Sequence, residues 1–137
     1  MKIDHDYLKG LLEAFEASPD PITDILSLKD AGYDYDDRQF IFHMGILEDK
    51  CLVQRDDGDA GFGMVRGIDG HTSWAVLPLR LTANGHEFIE ALRNKQVWAT
   101  IKKDFKEAGI DTLWRVSKDL LEGYTKKKIA ALTGVGA

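Results

Sequence analysis

Apolar residues recur at helical spacing from the start of the chain. Tyr7, Leu8, Leu11, Leu12 and Phe15 share one face behind Asp4, a short carboxylate suited to an N-cap, until Ser18-Pro19 ends the run. Pro19 and Pro21 bracket a turn, Ile22 and Ile25 allow a short extended piece, and a brief helix follows over residues 24–31, closed by Gly32. The acidic stretch from Asp34 to Asp37 supplies cap and first-turn carboxylates for a third helix over residues 36–49. Its inward face takes Phe40, Ile41, Met44 and Leu47.

After Lys50 the period changes. Cys51, Leu52 and Val53 start an apolar strand, Asp56-Asp57-Gly58-Asp59 makes a turn, and Phe62, Met64 and Val65 start a return strand. A second turn at Asp69-Gly70 leads into a third strand through Trp74, Val76, Leu77, Leu79 and Leu81, with Pro78 marking an edge or bulge. The pattern thus predicts a three-stranded antiparallel ribbon. Thr82 caps a fourth helix carrying Phe88, Ile89 and Leu92. Two further amphipathic segments follow, one with Val97, Trp98, Ile101 and Phe105, the other with Leu113, Val116, Leu120, Leu121 and Tyr124. Gly109 separates them, Gly123 is placed to bend the second, and residues 133–137 are expected to fray.

Helix, short helix, helix, hairpin and strand is the order of a winged-helix domain. The run Leu81-Thr82-Ala83-Asn84-Gly85-His86-Glu87-Phe88-Ile89 resembles the passage by which winged-helix regulators leave the wing: the Leu ends the strand in the core and the Thr caps the helix. His43 to Leu47, followed by Leu52-Val53, resembles a recognition helix running into the first wing strand. With Val97-Trp98 soon after Arg93, the chain resembles, from about Asp4 to Phe105, a bacterial and phage family labelled domain of unknown function 2513. The resemblance implies an α+β fold: a winged helix-turn-helix domain over residues 1–94, with a three-stranded antiparallel wing, and a C-terminal helical extension over residues 95–137. Fold alone does not set function.

Charge complicates the habitual use of that fold. Residues 1–50 carry 5 basic and 12 acidic groups, residues 51–94 carry 4 and 6, and residues 95–137 carry 9 and 5. The front is acidic and the tail basic. Asp34, Asp36 and Asp37 flank the start of the third helix, and Asp56, Asp57 and Asp59 sit in the first wing turn, so both places meant to approach phosphate would repel it. With one cysteine, Cys51, no internal disulfide can form, and the early acids interrupt any leader-like apolar run, so a cytoplasmic protein away from membranes is expected. Cys51 itself reads as an inert buried thiol.

No catalytic constellation stands out, so no enzyme, cofactor or metal is expected. His5, His43, His71 and His86 lie apart without companions at ligand spacing. His43 and His86 are expected to pack or hydrogen-bond near the core. Asp57-Gly58-Asp59-Ala60-Gly61 lacks the third carboxylate and the distant glutamate of a calcium loop.

The contact candidates for double-stranded DNA or a protein are Tyr35, Arg38, Gln39, Phe42 and Ile46 on the outer face of the third helix, Arg55 and Arg66 on the wing strands, and Lys126, Lys127 and Lys128 in the tail. Two roles follow. One is a DNA-binding transcriptional regulator working as a homodimer, its seam formed by Trp98, Phe105, Trp114 and Leu121. The other is a phage or prophage module that binds a protein and no DNA, using the apolar pair Phe42 and Ile46. Lysines opposite an apolar helix face are also the ordinary solvated side of such a helix.

Overall fold

A computed structural model describes residues 1–134 of the chain. Of the segment expected to fray, Thr133 is helical, and residues 135–137 lie outside the described residues. The chain forms two compact units, Met1–His86 and Glu87–Ala137.

In the first unit, α1 (His5–Glu16) starts where the Asp4 carboxylate accepts the Tyr7 N–H, and it buries His5, Leu8, Leu11, Leu12 and Phe15. Helix α2 (Ile25–Asp30) is capped by Asp24 and buries Ile25 and Leu28. It stops in a left-handed turn at Gly32, whose N–H reaches the Lys29 carbonyl while Tyr33 N–H reaches Leu28. Helix α3 (Arg38–Asp49) is capped by Asp37 and buries Phe40, His43, Met44 and Leu47. His43 thus holds an inward place that the spacing gave to Ile41, which is only half-buried.

Helix α3 ends by the same device as α2, with a cysteine in place of the glycine. Cys51 N–H bonds to the Glu48 carbonyl and Leu52 N–H to the Leu47 carbonyl, both at 2.9 Å, and Cys51 has φ 57°. The thiol is exposed, correcting the expectation of a buried cysteine opening a strand.

The strands do not form one three-stranded ribbon. β1 (Val53–Arg55) pairs antiparallel with β4 (Leu79–Leu81), matching Val53 to Leu81 and Arg55 to Leu79. Thr23 bridges Leu79 from the other side through hydrogen bonds of 2.7 and 2.8 Å. A separate hairpin pairs β2 (Met64–Arg66) with β3 (Thr72–Trp74). Two causes divide what the pattern read as continuous. Pro78 has no N–H to give a ladder, so the segment between Trp74 and Leu79 leaves strand geometry and the Pro78 carbonyl instead accepts Asp56 N–H. The turn after β1 is closed by side chains: Arg55 grips Asp57 at 2.5 Å and lies 3.9 Å from Asp59, and Glu48 accepts Gly61 N–H at 2.8 Å. A loop tied to α3 in this way does not pair β1 with β2.

The joint after β4 explains the Leu-Thr…Gly passage. Thr82 Oγ1 donates to the Cys51 carbonyl at 2.7 Å and accepts Gly85 N–H at 3.1 Å, while Thr82 N–H reaches the Leu52 carbonyl at 3.0 Å. A β-carbon on Gly85 would stand 2.1 Å from the Leu52 oxygen, so only glycine allows this approach.

Helix α4 (Ala83–Arg93) begins at this joint, and the division between the two units falls within it. In the second unit, α5 (Lys95–Asp104) is capped by Asn94, whose side chain accepts the N–H groups of Gln96 and Val97. Helix α6 runs unbroken from Ile110 to Thr133, so Gly123 does not bend it out of helix. The fold is α+β, with six helices and two small antiparallel sheets among the described residues. No described helix is long and apolar enough to cross a membrane.

Candidate functional site: a groove between helix α3 and the hairpin

The hairpin is fixed to α3 by aromatic rings. Phe40 on α3 meets Phe62 and Trp74 edge-on at 6.2 and 6.3 Å, Phe62 lies 6.0 Å from Trp74, and Tyr35 tilts against Trp74 at 5.1 Å. Gly63, at φ 117°, lets the backbone close, since a β-carbon there would lie 2.4 Å from the Ala75 oxygen. These contacts hold Met64 and Arg66 opposite the start of α3. Between them runs an open groove of about 570 Å³, lined by the apolar Ile41, Met64 and Trp74 and by Asp36, Arg38, Arg66 and Thr72.

Arg38 and Arg66 stand apart from the other arginines of this unit. Both are exposed, and neither has an ion pair or hydrogen bond among the described residues. Arg55 is held by Asp57, Asp59 and the Ala60 carbonyl, and Arg80 by Asp56 at 3.7 Å. The Asp57 carboxyl is drawn below its ordinary value, first by the Asp59 N–H and then by Arg55. Arg55, a contact candidate by sequence, therefore serves as a staple for its own loop.

The other candidates on α3 divide. Tyr35 is half-buried, tilted against Trp74 with the Lys29 ammonium 5.4 Å from its ring centre. Gln39 is half-buried, and its side-chain oxygen is enclosed without a hydrogen-bond partner. Phe42 and Ile46, placed by the helical wheel on the outer face, are both half-buried. Lys126, Lys127 and Lys128 are exposed on α6 in the second unit, where Lys126 pairs with Glu122 at 3.2 Å. Among the described residues no cluster of histidine, cysteine and carboxylate could hold a metal ion.

Beneath α3, His43 is fully buried and ties two elements together. Its Nε2 accepts the Asp4 N–H at 3.0 Å, so the proton sits on Nδ1, which donates to the Gln39 carbonyl at 2.7 Å. Tyr7 tilts over the ring at 4.7 Å. Burial lowers the His43 pKa, against the opposing pull of the Gln39 carbonyl and the Asp4 charge. Burial likewise raises the Tyr7 pKa, with help from Asp37, Tyr33 and Asp34. His86, expected near the core as well, is exposed.

The sequence pointed to Arg38 and Arg66 separately, and the structure places them on one groove. It gave no warning that Ile41, Met64 and Trp74 line that groove with them, because Ile41 was read on an inward helical face and the other two only as strand residues. The turn at Asp69-Gly70, read from the sequence, is the one that closes the β2–β3 hairpin.

A family model described as Hypothetical protein (DUF2513) matches residues 2–111. No curated protein and no solved structure matches the chain.

Proposed function

The chain belongs to the DUF2513 family, whose span takes in every residue of the groove, and from that premise we propose that it is a small, cytoplasmic, non-enzymatic winged-helix regulator that grips duplex DNA with α3 and the β2–β3 hairpin. The element order supports the reading. A strand-like bridge at Thr23 follows α1, α2 and α3 come next, and β1 and β4 enclose a protruding hairpin, which is the order of helix, strand, helices and wing.

The observation that carries the proposal is the pair of guanidiniums without a partner among the described residues, Arg38 from the helix and Arg66 from the wing, both lining one groove. Charge that is not consumed inside the protein is what releases counterions from DNA. The test is binding of the full chain to random and selected duplexes over a salt series. Arg38→Ala and Arg66→Ala are each expected to weaken binding and to reduce the salt slope by about 1. No binding at low salt, or slopes unmoved by both changes, would remove DNA from the account.

A second reading, a module that binds a protein and no DNA, is favoured by one specific observation. The first unit carries 16 acidic and 8 basic side chains. Its hairpin also presents apolar groups, with Val65 half exposed and Ile68 fully so at the tip. A duplex-silent protein whose partner capture is lost on Ile68→Asp would establish this reading in place of the first.

A further inference from the structure

The second unit has its own groove, about 740 Å³, between α4 and the distal half of α6. Its floor is apolar, from Leu121 and Ile129, and Ile129 is 54 % exposed. Leu132, 76 % exposed, continues the stripe, because residues 121, 125, 129 and 132 recur at helical spacings of four, four and three. A helix that carries its apolar stripe into solvent is short of a partner.

The charges on the rim say which partner. Glu87 is paired with Lys118 at 3.6 Å and Glu122 with Lys126 at 3.2 Å. That leaves Glu90 and Asp119, which line the groove, and Lys128, further along the same helix beside the stripe, without an ion pair among the described residues. The surplus is opposite in sign at the two ends, so the surface is complementary to itself when turned end for end.

We propose that this groove is the seam of a homodimer, in which α6 of each copy lies antiparallel on α6 of the other, centred near Thr125. About that centre, Leu121 of one copy faces Ile129 of the second. Lys128 of each copy reaches the level of Glu122 in the other, beside the groove that Glu90 also lines, and Leu132 reaches that of Lys118. Every contact occurs twice, as an isologous interface requires. The apolar stripe supplies the association and the end charges set its direction. Of the seam the sequence suggested, this one keeps Leu121 and leaves out Trp98, Phe105 and Trp114, the last of which packs edge-on against Phe88 at 5.6 Å within the unit.

Sedimentation equilibrium of the full chain decides the matter. The wild type is expected to double its mass as concentration rises through the micromolar range. Ile129→Glu, a change at an exposed position that places two unpaired carboxylates in the seam, should weaken association about a hundred-fold or more with helical content unchanged. Glu90→Lys and Lys128→Glu should each weaken it, and the double variant should recover. A wild type that stays monomeric, including one that captures some other molecule on this face, overturns the proposal. So does a dimer indifferent to Ile129→Glu, or a charge pair that shows no recovery.

Discussion

Single residues carry constraints here that their neighbours do not share. Gly85 has the Leu52 carbonyl where a side chain would begin, whereas a β-carbon on Gly45, inside α3, meets nothing within 4 Å. Gly85→Ala should therefore cost about 2–3 kcal/mol in denaturant unfolding, and Gly45→Ala should gain about 0.5–1 kcal/mol by removing backbone freedom from a helix interior. Cys51 adopts left-handed backbone with a β-carbon, a conformation that costs about 1–2 kcal/mol. Cys51→Gly should raise stability by about 1 kcal/mol, and a lower urea midpoint would refute the strain. His43 gives a dependence on pH. Its folded pKa lies below the ordinary 6.5, so the unfolded chain binds the proton more readily. The stability it contributes is complete above about pH 6.5 and is lost as pH falls through the depressed folded value. The urea midpoint should fall between about pH 7 and pH 5, and His43→Gln should flatten that fall relative to the wild type.

At the scale of elements, the sequence was legible where local chemistry and burial agree. Asp4, Asp24 and Asp37 cap the helices they precede, and the periodic runs of α1 and α4 to α6 all became helices; Phe88, Ile89 and Leu92 of α4 are buried as expected, whereas of the faces read on α5 and α6 only Val97, Ile101 and Leu113 are. The strands were less legible, because three-residue pieces carry too little alternation to reveal their partners. β1 found β4 and not β2, a choice made by the Arg55 to Asp57 staple, the Glu48 to Gly61 tie and the missing Pro78 N–H. None of these shows in a hydrophobic pattern. The groove followed the same rule: Arg38 and Arg66 were visible as charged residues, but their meeting on one groove depends on the ring cluster of Phe40, Phe62 and Trp74 that seats the hairpin.

For the whole molecule, the division of charge matters more than its total. The first unit is acidic and the second basic, so a net charge of -5 describes neither. On the two proposals, salt-dependent behaviour belongs to particular surfaces: to Arg38 and Arg66 in one unit, and to Glu90 with Lys128 in the other. The joint at Thr82 reaches further still, because one hydroxyl serves both the carbonyl at the exit of α3 and the amide inside the first turn of α4. In any relative that preserves it, the place of Cys51 is open to residues that tolerate a left-handed twist, and the place of Gly85 is closed to every side chain. Across a set of aligned relatives the first position would then vary among such residues while the second stays glycine, and that unequal tolerance would be the imprint of this one hydroxyl.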